Sequence, residues 1–339
     1  MFSDTGTMDR RLHAIADSLA GDVRSGAAEM MGTVLDGILA IPDDDAAAIP
    51  TREWEDFAVA MHRGKPSIAP VFNIANSIML LAEEGASGLA RLREVLTEMK
   101  KMEKRSGPLI AEEAARSVKG DWIMTTSYSS TVAKALLALS ERRSVKVTIT
   151  ESAPGAEGRQ FARLLSEHMD CEIIYDSTIF ARMADVDAAI TGADSMTGGG
   201  LINKVGTRAL AEAARSAGVP AYALCGWSKV CPVILSDLMV RDEVIGERLS
   251  EHIQVFESTP LDLFAEAITD RGTMTPPHLR TAIKSGRVAR GWSARGLIRA
   301  PPPESISRTS ALWPLQGRRP RTGSTLCNRR SARPPPFRL

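Results

Sequence analysis

The feature that most constrains this chain is a change of rhythm at Gly120, after which short β-rich runs alternate with helical ones. The runs 122–126, 145–150, 171–175, 188–191 and 221–224 read as strands, with helices from Ser130, Ala156 and Val205 and a short one through Phe180 and Met183. Strands alternating with helices of about 10–15 residues imply βαβ units, hence a mostly parallel sheet with helices on both faces. Ligands of such sheets bind beyond the carboxyl ends of the strands. The expected fold is therefore α/β: a helical N-terminal domain followed by a Rossmann-like, mostly parallel doubly wound sheet.

The helical part is read from apolar spacing. Leu12, Ile15, Ala16 and Leu19 fall at i, i+3, i+4 and i+7, and the pattern resumes after a bend at 22–27 with Met30, Met31, Val34, Leu35, Ile38 and Leu39. Further helical runs cover 51–62, 68–84 and 86–104. The boundaries expected are a helical domain at 1–115, a ligand-binding α/β domain at 116–283 and a basic, Pro/Arg-rich, disordered tail at 284–339.

Charge supports that division. The whole chain carries +1, but residues 301–339 hold eight Arg against Glu304, giving +7 there and −6 for the remainder. The tail admits a nucleic-acid-binding reading, ranked below a merely solvated one. No apolar stretch approaches the ~18 residues of a membrane span, and a cytoplasmic protein without membrane partners is expected. Five scattered histidines and four unpatterned cysteines predict packed, reduced thiols, no metal and no cofactor.

Each strand of the second half ends in polar residues. The first runs into Thr125-Thr126-Ser127-Tyr128-Ser129-Ser130, where hydroxyls and unpaired amides at a helix start suit an anion. The second gives Glu151-Ser152-Ala153-Pro154-Gly155-Ala156-Glu157-Gly158-Arg159, a glycine-spaced turn with Arg159 as a charge partner. Asp176-Ser177 follows the third. The fourth gives Gly192-Ala193-Asp194, a loop at Gly198-Gly199-Gly200, and Asn203-Lys204-Val205-Gly206-Thr207 entering a helix. An Asp beside a Lys and a helix N-terminus has the ingredients of an acid/base group facing a phosphate or sugar.

Taken in order, Arg24-Ser25-Gly26-Ala27, Lys65-Pro66 with Asn73, 123–129, Glu151-Ser152-x-Pro154-x-x-x-Gly158, Asp176-Ser177, Gly192-Ala193-Asp194 with Asn203-Lys204-x-Gly206-Thr207, and Thr269-Asp270-Arg271-Gly272 form a connected pattern. Over about residues 22–275 it resembles the initiation factor 2B alpha/beta/delta family, which also contains methylthioribose-1-phosphate isomerase and ribose-1,5-bisphosphate isomerase. The resemblance implies a homodimer or larger homo-oligomer, related subunits as partners, and a site between the domains. In the isomerases a Cys/Asp pair moves protons as a sugar phosphate passes from aldose to ketose. The Asp matches Asp194, whereas the Cys position holds Ser127. A thiol with a pKa of about 8.5 exchanges protons near neutrality, but a serine hydroxyl needs an adjacent base, which the matched motif does not supply. Ala153 stands where the isomerases resemble one another in having an Arg that holds phosphate, and 179–183 is similar to the beta-type subunits.

Two readings follow. The first is an initiation-factor-2B-like subunit retaining a sugar-phosphate or nucleotide pocket for regulation or assembly; the second is an aldose–ketose isomerase of a phosphorylated pentose. Both use one pocket. Asp194 and Ser127 stand at its reacting centre, with Arg24, Gly26 and Lys65 reaching in from the helical domain. Ser129, Ser130, Gly158 and Arg159 face phosphate, and Glu151, Asp176, Asn203, Lys204 and Gly206 complete the walls.

Overall fold

A computed structural model describes residues 8–298 apart from 24, 236, 237 and 239. Seven helices come first: α1 (Arg10–Gly21), α2 (Ala27–Leu39), α3 (Asp43–Ala48), α4 (Thr51–Gly64), α5 (Ala69–Ala82), α6 (Ala86–Leu89) and α7 (Leu92–Ser117). Nearly every residue of α5 is buried, which its all-round apolar sequence dictates, and Pro70 starts it where a missing N–H costs nothing. Asp9 caps α1 by accepting from the Arg11 amide at 2.8 Å.

The α/β part follows as β1 (Trp122–Thr125), α8 (Ser130–Ser140), β2 (Lys146–Thr150), α9 (Glu157–Leu165), β3 (Asp170–Ile174), α10 (Ile179–Met183) and β4 (Ala188–Thr191). Next come β5 (Ser195–Thr197), β6 (Gly200–Lys204), α11 (Thr207–Ala217), β7 (Ala221–Leu224), β8 (Val240–Gly246), β9 (Leu249–Gln254) and β10 (Phe256–Thr259). The last elements are β11 (Glu266–Thr269), β12 (Gly272–Met274), α12 (Pro276–Lys284) and α13 (Arg290–Ala294). The main sheet has the order β12-β11-β7-β4-β1-β2-β3, parallel throughout except for the β11–β12 pair. One face packs Ile110 of α7, Val132 of α8 and Phe161 of α9; the other packs Ile179 of α10, Leu210 of α11 and Leu279 of α12. The chain winds from β1 out to β3, then crosses to β4 on the other side of β1. The crevice at the carboxyl ends of β1 and β4 is therefore the switch point where such sheets bind ligands.

Two features depart from the sequence reading. The glycine-rich stretch after Asp194 is a β-hairpin, β5–β6, to which β10 adds, and α11 begins at Thr207 rather than Val205. The tail expected from 284 also starts too early. Trp292 is fully buried against His62 and Phe72, and its indole N–H donates to Asn76 Oδ1 at 3.1 Å. Asn76 Nδ2 in turn donates to the Arg287 carbonyl at 2.9 Å. A single aromatic anchor leaves no period to read, which is why the sequence pattern missed it. Residues 299–339, which carry the basic charge on which the nucleic-acid reading rests, lie outside the described residues. Among the described residues no helix is long and apolar enough to cross a membrane.

Candidate functional site

The end of β1 is a buried ladder of hydroxyls. Thr126 Oγ1 and Thr150 Oγ1 lie 2.9 Å apart, Thr150 Oγ1 and Ser152 Oγ 3.0 Å, and the Ser127 amide donates to Ser152 Oγ at 2.7 Å. These contacts hold Ser127 in a left-handed conformation, φ 60°, that a non-glycine residue adopts only when its surroundings impose it. Its hydroxyl is thereby aimed at α9, where it donates to Glu157 Oε1 at 2.9 Å. Lys204, at the end of β6 and nearly buried, closes the set at 3.0 Å from the same carboxylate oxygen. The acceptor beside Ser127 that the matched motif lacks is thus supplied by Glu157. As the first residue of an amphipathic helix, it reads in sequence as an ordinary acid favoured by the helix dipole.

Asp194 follows β4 two residues after Gly192, where a Cβ would come 2.5 Å from Ser129 Oγ. β4 and the start of α8 are therefore in close contact. Burial pushes the Asp194 carboxyl above the ordinary carboxylate range, and the charge of Lys229 opposes that shift without cancelling it. Sequence pairs Asp194 with Lys204; the structure instead places Lys229 near it, with Nζ donating to the Ala193 carbonyl at 2.6 Å. Lys229, 7% exposed in the loop after β7, was missed by sequence reasoning. A lysine held in a Trp-Ser-Lys loop between two buried cysteines was the available signal. That loop is fixed from the helical part: Asn73 Nδ2 donates to the Ser228 and Val230 carbonyls at 2.7 and 2.9 Å.

Internal partners already hold most of the other residues expected at the site. Asp176 accepts from the Ser152 and Ala153 amides at 2.9 and 2.7 Å, closing the turn after β2. Arg159 is half-exposed and paired with Glu151 at 2.8 Å. Asn203 Nδ2 donates to Thr191 Oγ1 and Thr207 Oγ1 at 3.2 and 3.0 Å, tying β6 to β4 and α11. Ser129 is the N-cap of α8, accepting from the Val132 amide, and Ser130 is exposed beside it. The helix start at Gly206, expected to complete the walls, is filled from within the chain. Glu257 Oε1 accepts from the Gly206 and Arg208 amides at 2.7 and 2.8 Å.

Three expected residues stand elsewhere. Gly158 serves packing: a Cβ there would lie 1.9 Å from the Thr150 carbonyl oxygen, so only glycine lets α9 start against the end of β2. Lys65, 8% exposed, donates to the Ala20 and Asp22 carbonyls and so binds the end of α1. Gly26 caps α2, its amide donating to Glu29 Oε2 at 3.3 Å. Arg24 lies outside the described residues.

The Rossmann-like part of the chain carries at its strand ends a buried hydroxyl ladder, a carboxyl raised by burial and two buried lysines. The model of the Initiation factor 2 subunit family matches residues 27–276, and the chain belongs to that family. It is 32% identical over 218 residues to an eIF-2B subunit 2-like translation initiation factor of Pyrococcus horikoshii, covering 62% of this chain and 77% of that one. It is 27% identical over 232 residues to a ribose 1,5-bisphosphate isomerase of Archaeoglobus fulgidus, covering 62% and 73%. Among solved structures, the eIF-2B translation initiation factor of P. horikoshii superposes with a TM-score of 0.66 at 26% identity, covering 79% of this chain and 98% of that one. The tetrameric eIF2B beta2-delta2 complex of C. thermophilum shares the fold, with a TM-score of 0.61 at 21% identity over 81% and 93% of the chains.

Proposed function

We propose that this chain is an initiation-factor-2B-like subunit of alpha/beta/delta type that keeps a sugar-phosphate or nucleotide pocket for regulation or assembly. In this reading it works in the cytoplasm as a homodimer or larger homo-oligomer, alone or with related subunits. The α/β part of 116–283 supplies the pocket, and the helical part to 115 supports it through Asn73, which fixes the loop of Lys229.

The observation that carries the reading is the Ser127–Glu157–Lys204 set. Aldose–ketose exchange needs two groups that pass protons near neutral pH. Asp194 is one candidate, because burial raises its carboxyl above the ordinary carboxylate range. At the end of β1, the Ser127 hydroxyl donates to Glu157, and Lys204 shares that carboxylate. Glu157 is the acceptor that a serine hydroxyl needs, but it is already paired with Lys204, so in this reading the Ser127 hydroxyl holds the wall and binds rather than passing protons.

The second reading, a phosphorylated-pentose isomerase, draws on Asp194, whose raised carboxyl suits a general acid. Turnover separates the two. Purified protein incubated with ribose-1,5-bisphosphate or methylthioribose-1-phosphate is expected to form no ketose above background, while Asp194→Asn weakens sugar-phosphate binding by about tenfold, or ~1.4 kcal/mol. Ketose formation abolished by Asp194→Asn would replace the binding reading with the isomerase one.

A further inference from the structure

Resting on the pocket reading above, we infer that Glu157 is a specificity-determining residue: the wall formed by Ser127, Glu157 and Lys204 takes an uncharged hydroxyl of the ligand and rejects a second phosphate. The carboxylate sits where an anion would have to go. It already receives the Ser127 hydroxyl at 2.9 Å and Lys204 Nζ at 3.0 Å, the two donors that this wall offers. The turn after β2 lies over the pair, since a Cβ on Gly155 would fall 2.5 Å from Glu157 Oε2 and 3.2 Å from Lys204 Nζ.

The neighbouring donors are matched as well. Arg159 is paired with Glu151, the Ser152 and Ala153 amides with Asp176, and the Gly206 and Arg208 amides with Glu257. A phosphate dianion entering here meets a carboxylate at close range and, among the described residues, no cation left unmatched in this wall, so it must either displace Glu157 or stay out. A sugar hydroxyl has the opposite character. It donates to a carboxylate oxygen with room for further hydrogen bonds and costs no like-charge repulsion. Discrimination of this kind works by repelling the wrong ligand as much as by holding the right one. The ligand class is then a sugar carrying one phosphate, held away from this wall.

Isothermal titration with ribose 5-phosphate and ribose 1,5-bisphosphate tests it on the wild-type chain and on Glu157→Gln. The amide keeps the size of the side chain and an oxygen for Lys204 or Ser127. Unliganded melting of both proteins checks that the fold is retained. Wild type is expected to bind the monophosphate at least tenfold more tightly than the bisphosphate, and Glu157→Gln to improve bisphosphate binding at least tenfold. A wild type that prefers the bisphosphate, or a ratio unchanged by Glu157→Gln, overturns the inference and leaves the pocket reading standing. Binding of neither ligand by either protein overturns both.

Discussion

Trp292→Ala is expected to cost about 3–5 kcal/mol of folding stability, the range for truncating a fully buried large aromatic. The indole has no exposed surface, stacks at 5.3 Å from Phe72 and 5.4 Å from His62, and ends the Asn76 network that fastens α13. Removing it opens a cavity and leaves Asn76 Oδ1 with the Ala289 amide alone. Urea unfolding at pH 7.5, followed by tryptophan-independent far-UV circular dichroism, reads the effect. A change below about 1 kcal/mol would mean that the segment 285–298 is not part of the folded core.

Gly158→Ala is expected to be nearly as damaging, at about 3 kcal/mol or more, through a different mechanism. The added methyl would sit 1.9 Å from the Thr150 carbonyl oxygen, a backbone atom at the carboxyl end of β2, where Thr150 pairs with Ile174 of β3. Overpacking against backbone has no side-chain escape, so α9 must slide outward. That movement carries Glu157 away from Ser127 and Lys204. The variant should therefore lose both melting temperature and ligand binding, whereas Gly155→Ala should spare the melting temperature because its close contacts are the ends of flexible side chains. Equal stability of Gly158→Ala and wild type would remove the packing role.

The helix–sheet division was legible because period is a local property: apolar spacing changes at Gly120, and every parallel strand of the reading exists within a residue or so of its expected place. The positions of Ser127 and Asp194 just past the ends of β1 and β4 were legible for the same reason, whereas Lys204, read as part of a loop entering a helix, ends β6. Their partners were not legible. Glu257 reaches Gly206 from β10, Lys229 reaches the Ala193 carbonyl from the loop after β7, and Trp292 reaches Phe72 across most of the chain. Such pairings are chosen by tertiary contact, and a lone acid, lysine or tryptophan carries no period that announces one. Glu157 is the instructive case. It stands within a motif that sequence analysis singled out, yet nothing local distinguishes a helix-start acid facing solvent from one facing a serine.

The glycine-rich stretch after Asp194 was legible only in part. Gly198 and Gly199 form the turn of the β5–β6 hairpin, as a loop reading expects, but Gly200 at φ 136° opens β6 with its would-be side-chain position pressed against Thr259 of β10. Glycine there permits close strand pairing, which in turn delivers Asn203 and Lys204 to the site.

The central claim is a small-ligand pocket at the carboxyl ends of β1, β2 and β4, walled by Ser127, Asp194 and Lys204. Thermal melting across a panel of sugar phosphates and nucleotides tests it most directly, because a ligand that binds only the folded chain raises its stability by mass action. The account predicts a dose-dependent rise for a phosphorylated sugar or nucleotide that disappears in Lys204→Ala, with the variant's unliganded melting point within a few degrees of wild type. No rise with any member of the panel, or a rise that Lys204→Ala leaves intact, would contradict it.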